Sequence, residues 1–144
     1  MQDGKFFEGA VLGECTASWD GYMSYKEAMC AVRQAQPGGD PTDPVKDTAS
    51  DLHVFVCEEL GCDDYSFVKF FTAIGSPLDF FHGVDAWFEF NGRVVTIDVT
   101  LNPNKEKPKA DLVILGQDDG ISRETLRLSA KQIAKKFQKR EIFC

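Results

Sequence analysis

The chain has 144 residues, enough for one domain with one hydrophobic core, and its net charge is −7. Hydrophobic residues make up 43% of it, and no apolar run approaches the ~20 residues of a membrane span. Five cysteines without a Cys-x-x-Cys pair argue against structural zinc. Because the N-terminus also lacks a signal-peptide pattern, the sequence predicts a globular protein in the cytoplasm that does not span a membrane.

Residues 1–79 are predicted to be helical. Ser24 and Glu27 form a capping-box pattern, which is typical of a helix start. The segment 36–47, with three prolines and two glycines, is predicted to be a loop. The predicted helices run from Ser24 to about Ala35, from Ser50 to Leu60 with a stop at Gly61, and from Asp63 to Ile74, where Phe67, Phe70, Phe71 and Ile74 recur at helical spacing.

Residues 80–144 are predicted to form a hairpin, a further strand and a helix. Apolar residues alternate from Val84 to Phe90, and Asn91-Gly92 is a strong signal for a two-residue hairpin turn. The returning strand is 93–100, the next strand is 110–115, and the last helix runs from Ile121 to about Arg140. This order predicts a single α/β (α+β) domain, with a small mixed sheet and a central β-hairpin flanked by helices.

The hairpin register places two aspartates opposite each other. With a two-residue turn, Val84 faces Val99 and Asp85 faces Asp98. Directly opposed side chains have Cβ atoms about 4.5–5.5 Å apart, and like charges there destabilise a sheet. A divalent cation between the two carboxylates would remove this cost. Two alternatives stay open: one aspartate holds a proton or both face solvent, or a bulge separates the pair.

These residues resemble the PD-(D/E)XK nucleases, and small phage-type members in particular. The family carries an acid on one strand and an acid-x-lysine on the next antiparallel strand. Here the similar segments are Gly83-Val84-Asp85 and Ile97-Asp98-Val99-Thr100, within a region of roughly residues 80–115. The resemblance implies a restriction-endonuclease-like core and a divalent-metal-dependent nuclease, an endonuclease or exonuclease that hydrolyses phosphodiester bonds of DNA.

The resemblance also implies roles for individual residues. Asp85 and Asp98 would bind Mg²⁺ or Mn²⁺, with the carbonyl of Val99 as a further ligand, and the metal would activate a water. The motif lysine falls at Thr100, which is not a cation, so we predict Lys105 as its substitute. The alternative is that Lys105, like Lys107 and Lys109, is a solvated loop lysine.

Further side chains are candidates for the same site. His82, three residues before Asp85, is predicted either to shuttle protons or bind phosphate, or to cap a turn. The family often adds an acid from an upstream helix, and the sequence offers Glu8, Glu14, Glu58 and Glu59 without distinguishing among them.

The last helix carries a basic stripe. Its five members recur every four residues and therefore share one helix face, on which like charges cost a few tenths of a kcal/mol per pair. Residues 93–144 hold 11 Lys/Arg against 7 Asp/Glu, whereas residues 1–92 hold 5 against 16. The stripe is therefore predicted to bind a nucleic-acid backbone, or to pair with the acidic half or another protein. Its members are Arg123, Arg127, Lys131, Lys135 and Lys139.

Three functions follow in order of preference. The first is the metal-dependent nuclease. The second, favoured by Thr100, is a catalytically inactive nuclease-like module that binds DNA or a protein partner. The third, favoured by the acidic residues 1–92, is a small acidic inhibitor protein of phage type. No recognition helix and no aromatic stacking ladder is evident, so binding is predicted to involve the backbone with little sequence preference.

Overall fold

The computed structural model describes residues 4–104 and 109–142, which form helices around one four-stranded sheet. The helices are α1 (Gly4–Leu12), α2 (Tyr25–Arg33), α3 (Asp47–Leu60), α4 (Pro77–His82) and α5 (Arg123–Ile142). The strands are β1 (Lys69–Thr72), β2 (Ala86–Phe90), β3 (Arg93–Thr100) and β4 (Leu112–Leu115), and a 3-10 turn spans Tyr65–Phe67.

The sheet has the order β1-β2-β3-β4 and is mixed. The first three strands are antiparallel, and β4 runs parallel to β3. Helices cover both of its faces. One core cluster joins α1, α3 and α5 to the sheet through side chains such as Phe88 and Ile97, and the other joins α2 and α4 through Trp87. The predicted α+β fold with a mixed sheet flanked by helices is therefore confirmed.

The hairpin between β2 and β3 follows the predicted register. Asn91 and Gly92 have φ values of 53° and 75°, as a tight turn with two left-handed residues requires. Beyond the turn Ala86 pairs with Ile97, and Phe88 pairs with Val95. Because successive strand residues point to opposite faces, this register fixes which side chains of β2 and β3 share a face.

Three predicted helices, α2, α3 and α5, are confirmed with small shifts of their ends. Ser24 caps α2, and Glu27 returns the bond in a capping box. Helix α3 begins three residues earlier than predicted and ends at Gly61, whose φ of 73° terminates it in the left-handed conformation. The last helix buries its predicted apolar face, which consists of Leu126, Ala130, Ile133, Ala134 and Phe137.

The helix predicted over Asp63–Ile74 is wrong, and residues 1–79 are therefore not all helical. This segment forms the 3-10 turn and β1. Phe70 packs in the first core cluster and Phe71 in the second, so the side chains alternate with the period of a strand. A short strand buried on both faces is a continuous apolar run, and its periodicity does not distinguish it from a buried helix.

The segment 36–47 is a loop up to the start of α3, as predicted, and it covers the free edge of β1. The Gln36 side chain accepts from the Thr72 N–H at 2.8 Å and donates to the Thr72 carbonyl at 2.9 Å. The Pro41 carbonyl accepts from the Phe70 N–H at 2.8 Å. These bonds satisfy backbone groups that an edge strand otherwise leaves unpaired. None of the helices in the described ranges has the length and apolar character required to cross a membrane.

Candidate metal centre

Asp85 lies where the β2–β3 ladder ends. Its N–H donates to the Ile97 carbonyl at 3.1 Å, and its carbonyl accepts from the Ala73 N–H at 2.7 Å. The next predicted pair, Val84 with Val99, is wrong, because these residues lie in different core clusters. The Asp85 side chain causes the change: its Oδ2 accepts the Val99 N–H at 2.8 Å, in place of a backbone carbonyl.

The carboxyl groups of Asp85 and Asp98 nevertheless meet, and they hydrogen-bond to each other. Both residues are buried, with 3% and 2% of their surface exposed. Burial, this hydrogen bond and the nearby Glu8 charge raise the pKa of Asp85 far above the usual range of a carboxyl. Two carboxyl oxygens within hydrogen-bond distance need a shared proton or a cation between them.

Two more acids converge on Asp85 from different helices. Carboxylate oxygens of Glu8, Asp79 and Asp85 all lie within 4.8 Å of one another. Glu8 comes from α1, Asp79 from α4 and Asp85 from the connection between α4 and β2, so three separate parts of the chain supply this group. We call Glu8, Asp79, Asp85 and Asp98 the acidic centre. The oxygens of Glu8, Asp79 and Asp85 lie at mutual distances that suit a hard divalent ion such as Mg²⁺ or Mn²⁺, and Asp98 joins them through its contact with Asp85.

Packing contacts set the positions of both helices. Phe7 of α1 is 1% exposed, and its ring lies so close to Gly116 that a Cβ there would be 2.1 Å from the ring. This contact places α1 at the end of the sheet where β3 and β4 finish. In α4, Ser76 caps the N-terminus, and Asp79 accepts the Gly75 N–H at 3.0 Å.

Sequence reasoning identified part of this centre. Asp85 and Asp98 follow from the hairpin register, and Glu8 was one of four upstream candidates. Glu14, Glu58 and Glu59 are not in the three-residue group with Asp79 and Asp85. Asp79 was missed, although Ser76-Pro77 is a recognisable helix start that points to α4.

The candidate lysines follow Thr100 in the chain. Lys105 and Lys107 lie outside the described residues. Thr100, at the motif position, accepts the Asn102 N–H at 3.0 Å and is not a cation. Lys109 is exposed, and its aliphatic carbons lie 3.3–3.8 Å from where a Cβ on Gly83 would be. The Lys109 stem therefore rests on the chain two residues before Asp85.

His82 has a structural partner. Its Nε2 is 2.9 Å from the Met23 carbonyl, and because a carbonyl only accepts, Nε2 must donate. The ring also contacts Tyr22 and Tyr25 at centroid distances of 5.9 and 5.6 Å. These contacts support the turn-capping interpretation of His82.

The basic stripe of α5 has two parts. The guanidinium groups of Arg123 and Arg127 lie 5.0 and 4.2 Å from the centre of the Phe55 ring on α3. Lys131 and Lys135 are exposed further along α5, and the side chain of Lys139 lies outside the described residues. The two arginines thus contribute to the α3–α5 contact, since cation–π pairs at exposed sites are worth ≈ 0.5–1 kcal/mol.

Comparison with known proteins gives no further guidance: no protein-family model, no curated protein and no solved structure matches the chain significantly. A function for the chain therefore has to be inferred from the chemistry of its own residues.

Proposed function

We propose that the protein is a divalent-metal-dependent nuclease that hydrolyses phosphodiester bonds of DNA at the acidic centre. The observation that carries the proposal is the buried contact between the carboxyl groups of Asp85 and Asp98, with Glu8 and Asp79 beside them. A fold that needed only stability would gain by replacing one of these acids, because each buried charge costs free energy unless it is paired.

Mg²⁺ or Mn²⁺ is the cofactor that fits these ligands. Asp85 and Asp98 would bind the ion directly, with the Val99 carbonyl as a further oxygen ligand. Glu8 and Asp79 would bind it or orient its water molecules. Bound there, the ion would supply an activated water and neutralise charge on the reacting phosphate.

The chain's own contribution is positioning. The Val99 N–H holds one oxygen of Asp85 at 2.8 Å, so the carboxylate keeps one orientation. A lysine near the reacting phosphate would stabilise its charge. Lys105 is the predicted candidate for this role, and Lys109, whose stem lies against Gly83, is a second candidate.

DNA binding would also involve the exposed lysines of α5, Lys131 and Lys135. Such contacts reach phosphates and carry little sequence information. A cytoplasmic location belongs to the same proposal, because the cysteines in the described part of the chain are free thiols, as is usual in a reducing compartment.

The test is cleavage of a panel of single- and double-stranded DNA with Mg²⁺, with Mn²⁺ and with EDTA. We expect metal-dependent cleavage that falls at least about 100-fold in Asp98→Asn, because even the loss of a residue that only supports a ligand costs 10- to 100-fold. The exposed Asp118 provides the control variant Asp118→Asn, which should cleave normally. Equal cleavage by wild type and Asp98→Asn, with both folded by circular dichroism, would exclude this site.

A second candidate is a catalytically inactive binding module on the same fold. Thr100 at the motif position favours it, because the resemblance places a lysine there. In that case calorimetric titration shows no metal binding, yet DNA or a protein partner still binds, and no DNA in the panel is cleaved under any metal condition.

A further inference from the structure

Four aromatic side chains, two of them exposed and two partly buried, gather beside α4. Phe80 and Tyr22 are 65% and 71% exposed, although large apolar rings are usually at least partly covered. Between them lies Phe81, whose ring centre is 4.9 Å from that of Phe80 and 5.0 Å from that of Tyr22. Trp19 contacts both phenylalanines at 5.5 and 5.4 Å. We call Trp19, Tyr22, Phe80 and Phe81 the aromatic platform.

The platform has a defined geometry. The Trp19 indole N–H donates to the Gly75 carbonyl at 3.0 Å, which ties residue 19 to the loop before α4. His82, next to Phe81, is held by the Met23 carbonyl and contacts Tyr22. Rings that are already ordered lose little conformational entropy when a ligand stacks on them. An exposed apolar patch with ordered rings is typical of an interaction site.

The platform adjoins the acidic centre. Phe80 follows Asp79 directly in the chain, and both belong to the single short helix α4. The Lys109 stem packs against Gly83, which directly follows α4, so this lysine lies at the C-terminal end of the same helix. A ligand on the platform thus has rings for a flat apolar group, a lysine for an anion, and the proposed metal ligands next to it.

From this arrangement, and resting on the proposed function, we infer that the substrate is single-stranded DNA, with an unpaired base stacked on the aromatic platform. Every base has an apolar π-face that stacks on aromatic side chains. In a duplex these faces are covered by neighbouring base pairs, so a platform of exposed rings selects unpaired nucleotides. Stacking one base on Phe80 would bring the adjoining phosphodiester towards Asp79 and the metal ligands.

The experiment measures binding apart from cleavage. Fluorescence anisotropy of labelled oligo-dT and of a duplex of equal length is recorded in EDTA for the wild type, Phe80→Ala and Phe67→Ala. Phe67 is a matched control, since it is 64% exposed but lies in the 3-10 turn, outside the platform. We expect tighter binding of oligo-dT than of duplex, and a loss of about tenfold in Phe80→Ala, as stacking energies predict. Phe67→Ala should bind oligo-dT like the wild type.

The results separate this inference from the proposed function. Equal binding of both DNA forms, or equal affinities of Phe80→Ala and Phe67→Ala for oligo-dT, overturns the single-strand inference even if metal-dependent cleavage is observed. Selective oligo-dT binding that depends on Phe80 supports the inference even if no cleavage occurs. Quenching of Trp19 fluorescence by oligo-dT, absent in Trp19→Phe, is a second supporting readout, because the other tryptophan, Trp87, is fully buried.

Discussion

Asp85 has contacts that a residue at a strand end does not usually make. One carboxyl oxygen accepts the Val99 N–H, and the side chain also hydrogen-bonds to Asp98. The first contact stabilises the carboxylate form of Asp85, whereas burial and the second contact stabilise the protonated form. The balance lies with the protonated form, so in the absence of a cation Asp85 retains its proton at neutral pH.

This balance predicts how stability depends on pH. The unfolded chain releases the Asp85 proton near the ordinary carboxyl pKa of about 3.9, while the folded protein holds it to much higher pH because its pKa is raised. The folded state therefore binds more protons, and the free energy of unfolding contributed by this group falls as pH rises above about 4. Urea denaturation in EDTA measures the free energy of unfolding at pH 5 and at pH 8. This free energy should fall less between the two pH values in Asp85→Asn than in the wild type. The same loss in both proteins would contradict the raised pKa.

At the residue scale, sequence reasoning succeeds where a local rule fixes geometry. The Asn91-Gly92 turn fixes the register up to the pair Ala86–Ile97, and the next residues along, Asp85 and Asp98, meet through their side chains. Sequence reasoning fails where tertiary contacts decide which backbone groups pair. The Val84–Val99 pair does not form because a side chain takes the Val99 N–H, and no propensity rule anticipates that bond.

The position of α1 determines where Glu8 lies in the acidic centre. Glu8 reaches Asp85 only because Phe7, one residue earlier, packs against the bare Cα of Gly116. Since the Phe7 ring is buried, it has little room to move away from a larger side chain.

Gly116→Ala should therefore weaken both the fold and the metal centre. A new Cβ would meet the Phe7 ring at 2.1 Å, so α1 must shift. Overpacking of this kind costs about 1–3 kcal/mol of unfolding free energy, and Mn²⁺ affinity should fall because Glu8 moves with α1. Thermal denaturation and Mn²⁺ titration measure the two effects. Gly21→Ala, which meets nothing within 4 Å, is the control, and a Gly116→Ala protein identical to it in both measurements would refute this role of α1.

At the element scale the sequence predicts helices and strands that have their own signals. The capping box of α2, the left-handed Gly61 after α3 and the hairpin turn are local features, and each is confirmed. The strand β1 lacks such a signal, since its phenylalanines are buried on both faces. Helix α4, which carries Asp79, is only six residues long and was not predicted.

Charge is organised over the whole molecule. The acidic residues 1–92 and the basic residues 93–144 meet in the α3–α5 contact, where Arg123 and Arg127 lie over Phe55. The members of the stripe therefore differ in their surroundings: the two arginines pack against Phe55 of α3, and Lys131 and Lys135 are exposed. Residue spacing alone does not predict this difference, because the surroundings of each side chain depend on which helix α5 packs against.

The salt dependence of DNA binding should show whether the exposed lysines of α5 contact phosphates. If Lys131 and Lys135 contact phosphates, the double variant Lys131→Glu/Lys135→Glu should lower the slope of log K against log salt by about two, roughly one per contact. Lys69→Glu, an exposed lysine at the start of β1, should leave the slope unchanged. Filter binding over roughly 50 to 300 mM salt provides the measurement, because such slopes are resolved in this range. Equal slopes for the wild type and both variants would show that Lys131 and Lys135 do not contact the DNA.

Calorimetric titration with Mn²⁺ at pH 7, in two buffers with different ionisation enthalpies, tests the acidic centre most directly. Because the raised pKa of Asp85 favours a proton that the metal must displace, we expect the wild type to bind Mn²⁺ and to release up to about one proton. We expect no binding by Asp98→Asn. Absence of Mn²⁺ binding by the folded wild type, or equal affinity in Asp98→Asn, would contradict a metal site between Asp85 and Asp98.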